Sequence, residues 1–335
     1  MKFGPVALRD AMGAVLAHSV SLPDRRLGKG SRLGPSEIDA LRSAGCDEVI
    51  VARLAPEDIG EDDAALRLAR SLVPDPGQAG LRLGQAATGR VNIMATAPGI
   101  VEIVTERIHA LNAVHPMITV ATVAPFARMS ERAMVATVKI ISYGVPETAL
   151  EAACHAGRSS LCLRPVICRS AELIQTCIDG GERLPQKGHE VTAARLARMG
   201  VSLAPMHLVP HEQEPLARAI AQSRADIVLI LTGSATSDAR DVAPEALRSA
   251  GGKVIHFGMP VDPGNLLFFG EIGCGSGARP VIGLPGCARA PARNGADWVI
   301  ERLLCGLPLG PADIAQMGVG GLLKEIAERG RLREA

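Results

Sequence analysis

The sequence predicts an α/β protein. Residues 161–308 read as a three-layer αβα domain with a mostly parallel sheet, and a smaller α+β region precedes it over residues 1–160. Three observations predict this. Apolar strand-length runs alternate with ten-residue helical patterns over 161–308, the signature of βαβ units. Five consecutive apolar residues, Ile227 to Leu231, read as a strand buried on both faces. A small polar turn follows at Thr232–Asp238, and then a helix with Pro244 in its first turn, where a missing N–H costs little.

Taken in order, Pro5 to His18 reads as an amphipathic helix. Ser36 is placed to cap a helix from Glu37 to Ser43, ended by Gly45, and Glu48 to Ala52 reads as a short strand. The breaker-rich run Leu72 to Gly80 marks a turn or a sub-boundary near residue 78. Strands are expected at Met117–Val123 and Met134–Ile141, flanked by helices at Ile100–Leu111 and Glu147–Ala156. Over 161–308 strands are expected at Leu161–Cys168, Val201–Val209, Ile227–Leu231, Lys253–Phe257, Leu266–Phe269 and Val281–Leu284. Helices are expected at Val191–Met199, Glu214–Arg224, Pro244–Ala250 and Ala292–Cys305. Residues 309–335 are glycine-rich and then charged, the pattern of a terminal helix with a linker-like tail.

Composition narrows the function. The 335 residues carry a net charge of +1, which argues against a broad electrostatic footprint for nucleic acid. One tryptophan, one tyrosine and five phenylalanines serve base stacking poorly. No run of eighteen apolar residues is present to span a membrane. The opening MKFGPVALRD has no apolar signal core, so the eight scattered cysteines read as reduced thiols of a cytoplasmic protein. The cysteines and eight histidines lack zinc-ligand spacing. Arginine outnumbers lysine 30 to 6, which suits phosphate but also reflects a GC-rich genome.

Three loops are competent to hold an anion at the carboxyl ends of strands. In the first, Thr232, Ser234, Thr236 and Ser237 offer hydroxyls, and Gly233 allows close approach of backbone to a ligand. Asp238 and Asp241 supply carboxylates that could bridge through Mg²⁺; alternatively Asp241 simply caps the helix. The second is Asp262-Pro263-Gly264-Asn265, which by itself is an ordinary β-turn. The third is Gly283-Leu284-Pro285-Gly286-Cys287, where Gly286 lets amides face a phosphate and a helix N-terminus would lower the Cys287 pKa. Glu172, following the first strand of the domain, is expected to reach the same edge.

These residues resemble the molybdopterin-binding fold family. Thr232-Gly233 followed by Arg240-Asp241-Val242-Ala243-Pro244-Glu245-Ala246 is similar to its T-G-G-T-G … R-D-V-T-P-E-A motif. Asp262-Pro263-Gly264-Asn265 resembles the P-G-K-P turn of molybdopterin molybdotransferases, Leu284-Pro285-Gly286-Cys287 their L-P-G-N-P loop, and Glu172-Leu173 the end of their G-D-E-L element. Lys29-Gly30 to Val51 and Val135 to Ile140 look like segments that precede the binding domain in such proteins.

The resemblance implies molybdopterin, free or nucleotide-activated, as the ligand. It implies Asp241 and Glu172 as catalytic residues and ligands of Mg²⁺ near the phosphate or molybdate. Ligand-holding positions would be Thr232, Gly233, Ser234, Thr236, Asp238, Pro263, Gly264, Asn265, Pro285, Gly286 and Cys287. The chain departs from the pattern at Ser234, Ser237, Ala243, Asn265, Cys287 and Ala288, and Arg289 and Arg293 stand nearby to restore attraction for phosphate.

Two readings follow. One is a molybdenum-cofactor biosynthesis protein that inserts molybdate. The other is a non-catalytic carrier that presents the cofactor to a cytidylyltransferase or a molybdoenzyme, because the tail resembles the join to a cytidylyltransferase. A nucleotide pyrophosphate hydrolase is a third. Molybdotransferases of this kind are commonly dimers, so the resemblance also implies a homodimer.

Overall fold

The computed structural model describes residues 1–178 and 183–323. Its contacts divide the chain into two compact units, residues 1–97 with 101–164, and residues 98–100 with 165 onward. The expected terminal helix beyond residue 323 lies outside the described residues. Among the described residues no helix is long and apolar enough to cross a membrane.

The first unit holds two cores. In the first core, Lys2–Ala7 pairs antiparallel with Glu48–Arg53, which also pairs with Val15–Leu16. The helix expected over 5–18 is therefore replaced by two strands and a 3₁₀ turn at Leu8–Asp10. Gly4 and Pro5 are poor helix formers, and the distant strand supplies their segment with a full ladder. Helix Pro35–Ser43 forms as expected, but Ser36 lies inside it; Gly34 is the cap, and its N–H donates to Glu37 at 3.1 Å. Leu16, Leu33, Leu41 and Val51 close this core.

The second core packs helix Glu61–Leu72 on a sheet of Ile118–Thr122, Met134–Ile140, Arg90–Ala95 and Leu81–Leu83. The run from Leu72 to Gly80 is a turn between two members of this core, with Asp75 accepting the Gln78 N–H. Residues 100–111 split into strand Gly99–Ile103 and helix Thr105–Asn112, because β-branched residues crowd the first half.

The second unit is built on one mixed sheet. Its strands are β1 (Ser170–Cys177), β2 (Ser202–Leu203), β3 (His207–Pro210), β4 (Ile227–Leu231), β5 (Lys253–Phe257), β6 (Phe268–Ile272) and β7 (Arg279–Leu284). Its helices are α1 (Arg183–Ala197), α2 (Gln213–Gln222), α3 (Val242–Ser249) and α4 (Gly295–Leu304). The sheet order is β2-β1-β4-β7-β6-β5, with β3 also paired to β1. Strands β1, β2, β3, β4 and β7 are parallel, and β6 is antiparallel to both of its neighbours, β7 and β5, so that β5 points the same way as β7. The connections at 258–267 and 273–278 are too short for a crossover, which needs a dozen residues or more.

Strand β4 is buried throughout. Val228 and Ile230 pack with Leu216 and Ile220 of α2 and Leu247 of α3. Gly188 of α1 lies against Leu231 and Gln175. The expected strand at 161–168 is displaced. The strand Leu161–Pro165 belongs to the first unit as far as Arg164, and β1 begins at Ser170. Glu172, Gln175 and Thr176 disguise β1, but Gln175 is buried and its amide donates to the Pro185 carbonyl at 2.8 Å.

At the opening of β1 and β4, Asp226 Oδ2 accepts the backbone N–H groups of Arg169 and Ser170 at 2.7 and 3.0 Å. These bonds hold its carboxyl below the usual range. The stabilisation is present above the unfolded value of about 3.9 and is lost as pH falls through the lower folded value. Asp226→Asn is therefore less stable than the parent in denaturant titrations at pH 7, and the gap narrows as pH falls below the unfolded value.

Candidate functional site

Register places the three loops at one edge of the sheet. Gln175 of β1 is opposite Leu231 of β4, Leu231 is opposite Leu284 of β7, and Gly283 is opposite Phe268 at the start of β6. The segments 232–241, 285–289 and 258–267 therefore all leave from the carboxyl edge of β4 and β7, where α/β sheets hold ligands.

The 232–241 loop is organised from within. The Thr232 hydroxyl donates to the Ser234 carbonyl at 2.5 Å and lies 3.2 Å from the Thr236 hydroxyl. Both threonines are buried, so they shape the loop, while Gly233, Ser234, Ser237 and Asp238 are exposed. Asp238 accepts the Arg240 N–H at 2.8 Å. Asp241 is the N-cap of α3; Oδ1 accepts the Val242 N–H at 2.7 Å and Oδ2 the Ser237 N–H at 3.1 Å. The cap is thus intact, and Ala243 is a buried helix residue whose lost hydroxyl costs no cap.

A Cβ on Gly233 would come within 2.8 Å of the Thr176 carbonyl oxygen. The bare Cα is demanded by the close approach of the end of β1.

The 262–265 turn supports α4. Pro263 accepts the Gly295 N–H at 2.9 Å, and a Cβ on Gly264 would meet that nitrogen at 2.9 Å. Gly264 also has φ +146°, a conformation side chains disfavour. The Asn265 amide donates to the Met259 carbonyl at 3.3 Å. This turn is a cradle for a helix start, more than an ordinary hairpin.

In the third loop Pro285 is buried, Gly286 exposed and Cys287 half-buried, and Gly286–Arg289 forms a 3₁₀ turn. Burial pushes the Cys287 thiol up, the reverse of the expected lowering, because desolvation outweighs the local donors. Arg195 of α1 organises the segment. It bonds the carbonyls of Ala288, Ala290 and Ala292 and forms a buried pair with Asp297 at 2.7 Å.

Arg289 turns toward the first loop and donates to the Thr232 carbonyl at 2.8 Å. Its Nε is buried without a hydrogen-bond partner, and burial lowers the guanidinium pKa. Gly286 lies beside this guanidinium; a Cβ there would stand 3.8 Å from its Nη1, an ordinary contact. Arg293 instead lies 3.6 Å from Glu301.

Glu172 is not at this edge. It is opposite Val228, four residues before the loop begins, about 13 Å along the strand. Its carboxylate lies 2.7 Å from His207 Nδ1, in an open depression also lined by Ser202, Met206 and Arg224. The expectation that Asp241 and Glu172 hold one Mg²⁺ together is corrected accordingly, since carboxylates near opposite ends of the sheet cannot reach the same ion. Among the described residues no group of three or more metal-ligating side chains is gathered. The residues present do not fit the expected Mg²⁺.

Sequence reading passed over Thr176, His211 and Arg195. Thr176 Oγ1 accepts the Gly233 N–H at 2.8 Å and lies 2.8 Å from His211 Nδ1. These partners come from segments far apart, and no local spacing announces them.

The second unit is therefore an α/β domain whose three strand-end loops converge on one edge. Residues 166–304 match the family model described as a probable molybdopterin binding domain. This segment is thus supported, at superfamily level, as a domain of the molybdopterin-binding, molybdenum-cofactor-biosynthesis type. Residues 5–53 match a domain of unknown function. No curated protein matches the chain. Among solved structures, a molybdenum cofactor biosynthesis protein from Pyrococcus furiosus aligns over 90% of this chain at 12% identity, with a TM-score of 0.23. The alignment spans 61% of that protein's length, and a likeness this loose carries no argument.

Two measurements check the third loop. Exposed Cys274 is alkylated by iodoacetamide at pH 7 faster than Cys287, whose raised pKa leaves less thiolate; equal rates would contradict the burial of Cys287. Arg195→Met leaves Asp297 buried and unpaired, and lowers stability by about 3–5 kcal/mol in denaturant unfolding.

Proposed function

We propose that the carboxyl edge of β4 and β7 binds molybdopterin through its phosphate, and that the chain serves cofactor biosynthesis by holding that ligand. The observation that carries this is Arg289. A half-buried guanidinium stands between two loops of the matched domain, and no carboxylate pairs with it among the described residues. A desolvated cation gains most from an anion, and guanidinium suits phosphate oxygens. The exposed backbone about Gly286 adds a donor of the same sign. In this reading Gly233, Ser234, Pro285, Gly286 and Cys287 line the ligand with backbone, while Thr232, Thr236, Pro263, Gly264 and Asn265 hold the loops in shape.

Holding and presenting the ligand is favoured over inserting molybdate. Both oxygens of Asp241 are already spent on backbone N–H groups, and Glu172 is at the opposite end of its strand. The natural recipient is a nucleotidyltransferase, such as a cytidylyltransferase, or a molybdoenzyme.

Purified chain titrated with molybdopterin should bind in the micromolar range or tighter, and no binding there overturns the proposal. Arg289→Gln weakens binding about 10- to 100-fold, the worth of a charge-assisted hydrogen bond, with little change in unfolding midpoint. Asp241→Asn keeps the cap on the Val242 N–H through its one oxygen, gives up only the longer Ser237 bond, and changes affinity less than about threefold. Molybdate insertion that Asp241→Asn abolishes would favour the insertion reading instead.

A further inference from the structure

We propose that His211 and Thr176 are positioning residues that fix the Gly233 amide and thereby the shape of the 232–236 loop; the consequence for ligand affinity rests on the reading of that loop given above. Thr176 is the last but one residue of β1 and is 2% exposed. Its Oγ1 accepts the Gly233 N–H at 2.8 Å. Its own proton then needs an acceptor, because water does not reach a buried hydroxyl. His211 Nδ1, at 2.8 Å, is that acceptor. The ring therefore carries its proton on Nε2, and both bonds run in one direction, from Gly233 to Thr176 to His211.

The backbone holds the same three segments. The His211 N–H donates to the Cys177 carbonyl at 3.0 Å, which ties the end of β3 to the end of β1. The missing Cβ of Gly233 lets the loop lie against the Thr176 carbonyl. The first peptide after β4 is thus pinned from the side by β1, and β1 is pinned by the residue that follows β3. Thr232, on the other side of that peptide, gives its carbonyl to Arg289. A shift of the Gly233 peptide would move the carbonyl that orients the unpaired guanidinium. His211 touches no ligand in this scheme; it acts through Thr176.

The test uses the full chain and four substitutions. Thr176→Val removes the hydroxyl while keeping the branched shape, and Thr176→Ser restores the hydroxyl. His211→Leu removes the acceptor, and His211→Asn supplies a carbonyl oxygen near the place of Nδ1. Amide hydrogen exchange at Gly233 is measured without ligand, with the interior amides of β4 as the stability reference. Thr176→Val and His211→Leu should speed Gly233 exchange at least about tenfold relative to that reference, as expected for a loop amide whose hydrogen bond is removed or no longer held in place. The serine and asparagine variants should keep protection. Unchanged Gly233 exchange in Thr176→Val or in His211→Leu, or equal loss in both histidine variants, overturns the proposal.

Molybdopterin affinity is measured in parallel and should fall about tenfold in the valine and leucine variants, with recovery in the conservative pair. The double variant Thr176→Val with His211→Leu should bind no worse than Thr176→Val alone, because the histidine acts only through the threonine. If the parent chain fails to bind molybdopterin, the ligand reading falls, while Gly233 exchange still decides the positioning pair.

Discussion

The second unit depends on strand β4. Its five residues are buried and paired on both sides, to β1 and to β7, in parallel register. That double pairing puts the ends of three strands at one level. It also leaves no room for slippage, because a one-residue shift would turn Val228 and Ile230 from one apolar layer to the other. The loops that follow are short and inherit this alignment. An anion site built from separate segments needs such a rigid base, since backbone donors on loose loops would lose their order to entropy.

Above that base, most of the polar groups are spent on one another. The hydroxyls of Thr232 and Thr236, the carboxylate of Asp241 and the amide of Asn265 all satisfy backbone or neighbouring groups within the loops. Two glycines, at 233 and 264, are required by close packing against β1 and α4. What remains available among the described residues includes an exposed backbone surface and the Arg289 guanidinium. The substitutions Ser234 and Ala243 change meaning in this light. Ser234 is on the exposed side of the loop, and Ala243 is inside a helix that Asp241 already caps.

Arg195 and Arg289 divide two tasks that a sequence cannot separate. Arg195 is buried and paired with Asp297, and its remaining nitrogens hold the third loop by its carbonyls. Arg289 comes from that loop, pairs with no acid among the described residues, and faces the first loop. One arginine stabilises the scaffold, whereas the other brings uncompensated charge to the edge. Both are single letters in an arginine-rich chain.

The sequence by itself determined β4, the loop after it, helix α3 and its acidic cap, because each is encoded within a few residues: an apolar run, a small polar turn, an aspartate before a helix start. It also determined that three such loops exist. It misplaced β1, because buried polar residues break the apolar run, and it made a helix of residues 5–18, because their partner strand lies forty residues away. It put Glu172 at the wrong end of the sheet for the first reason. Only the tertiary structure decided which carboxylates meet, which glycines serve packing, and that Arg289, Thr176 and His211 act on one loop. Those facts depend on register and on contacts between distant segments, and no local spacing carries that information.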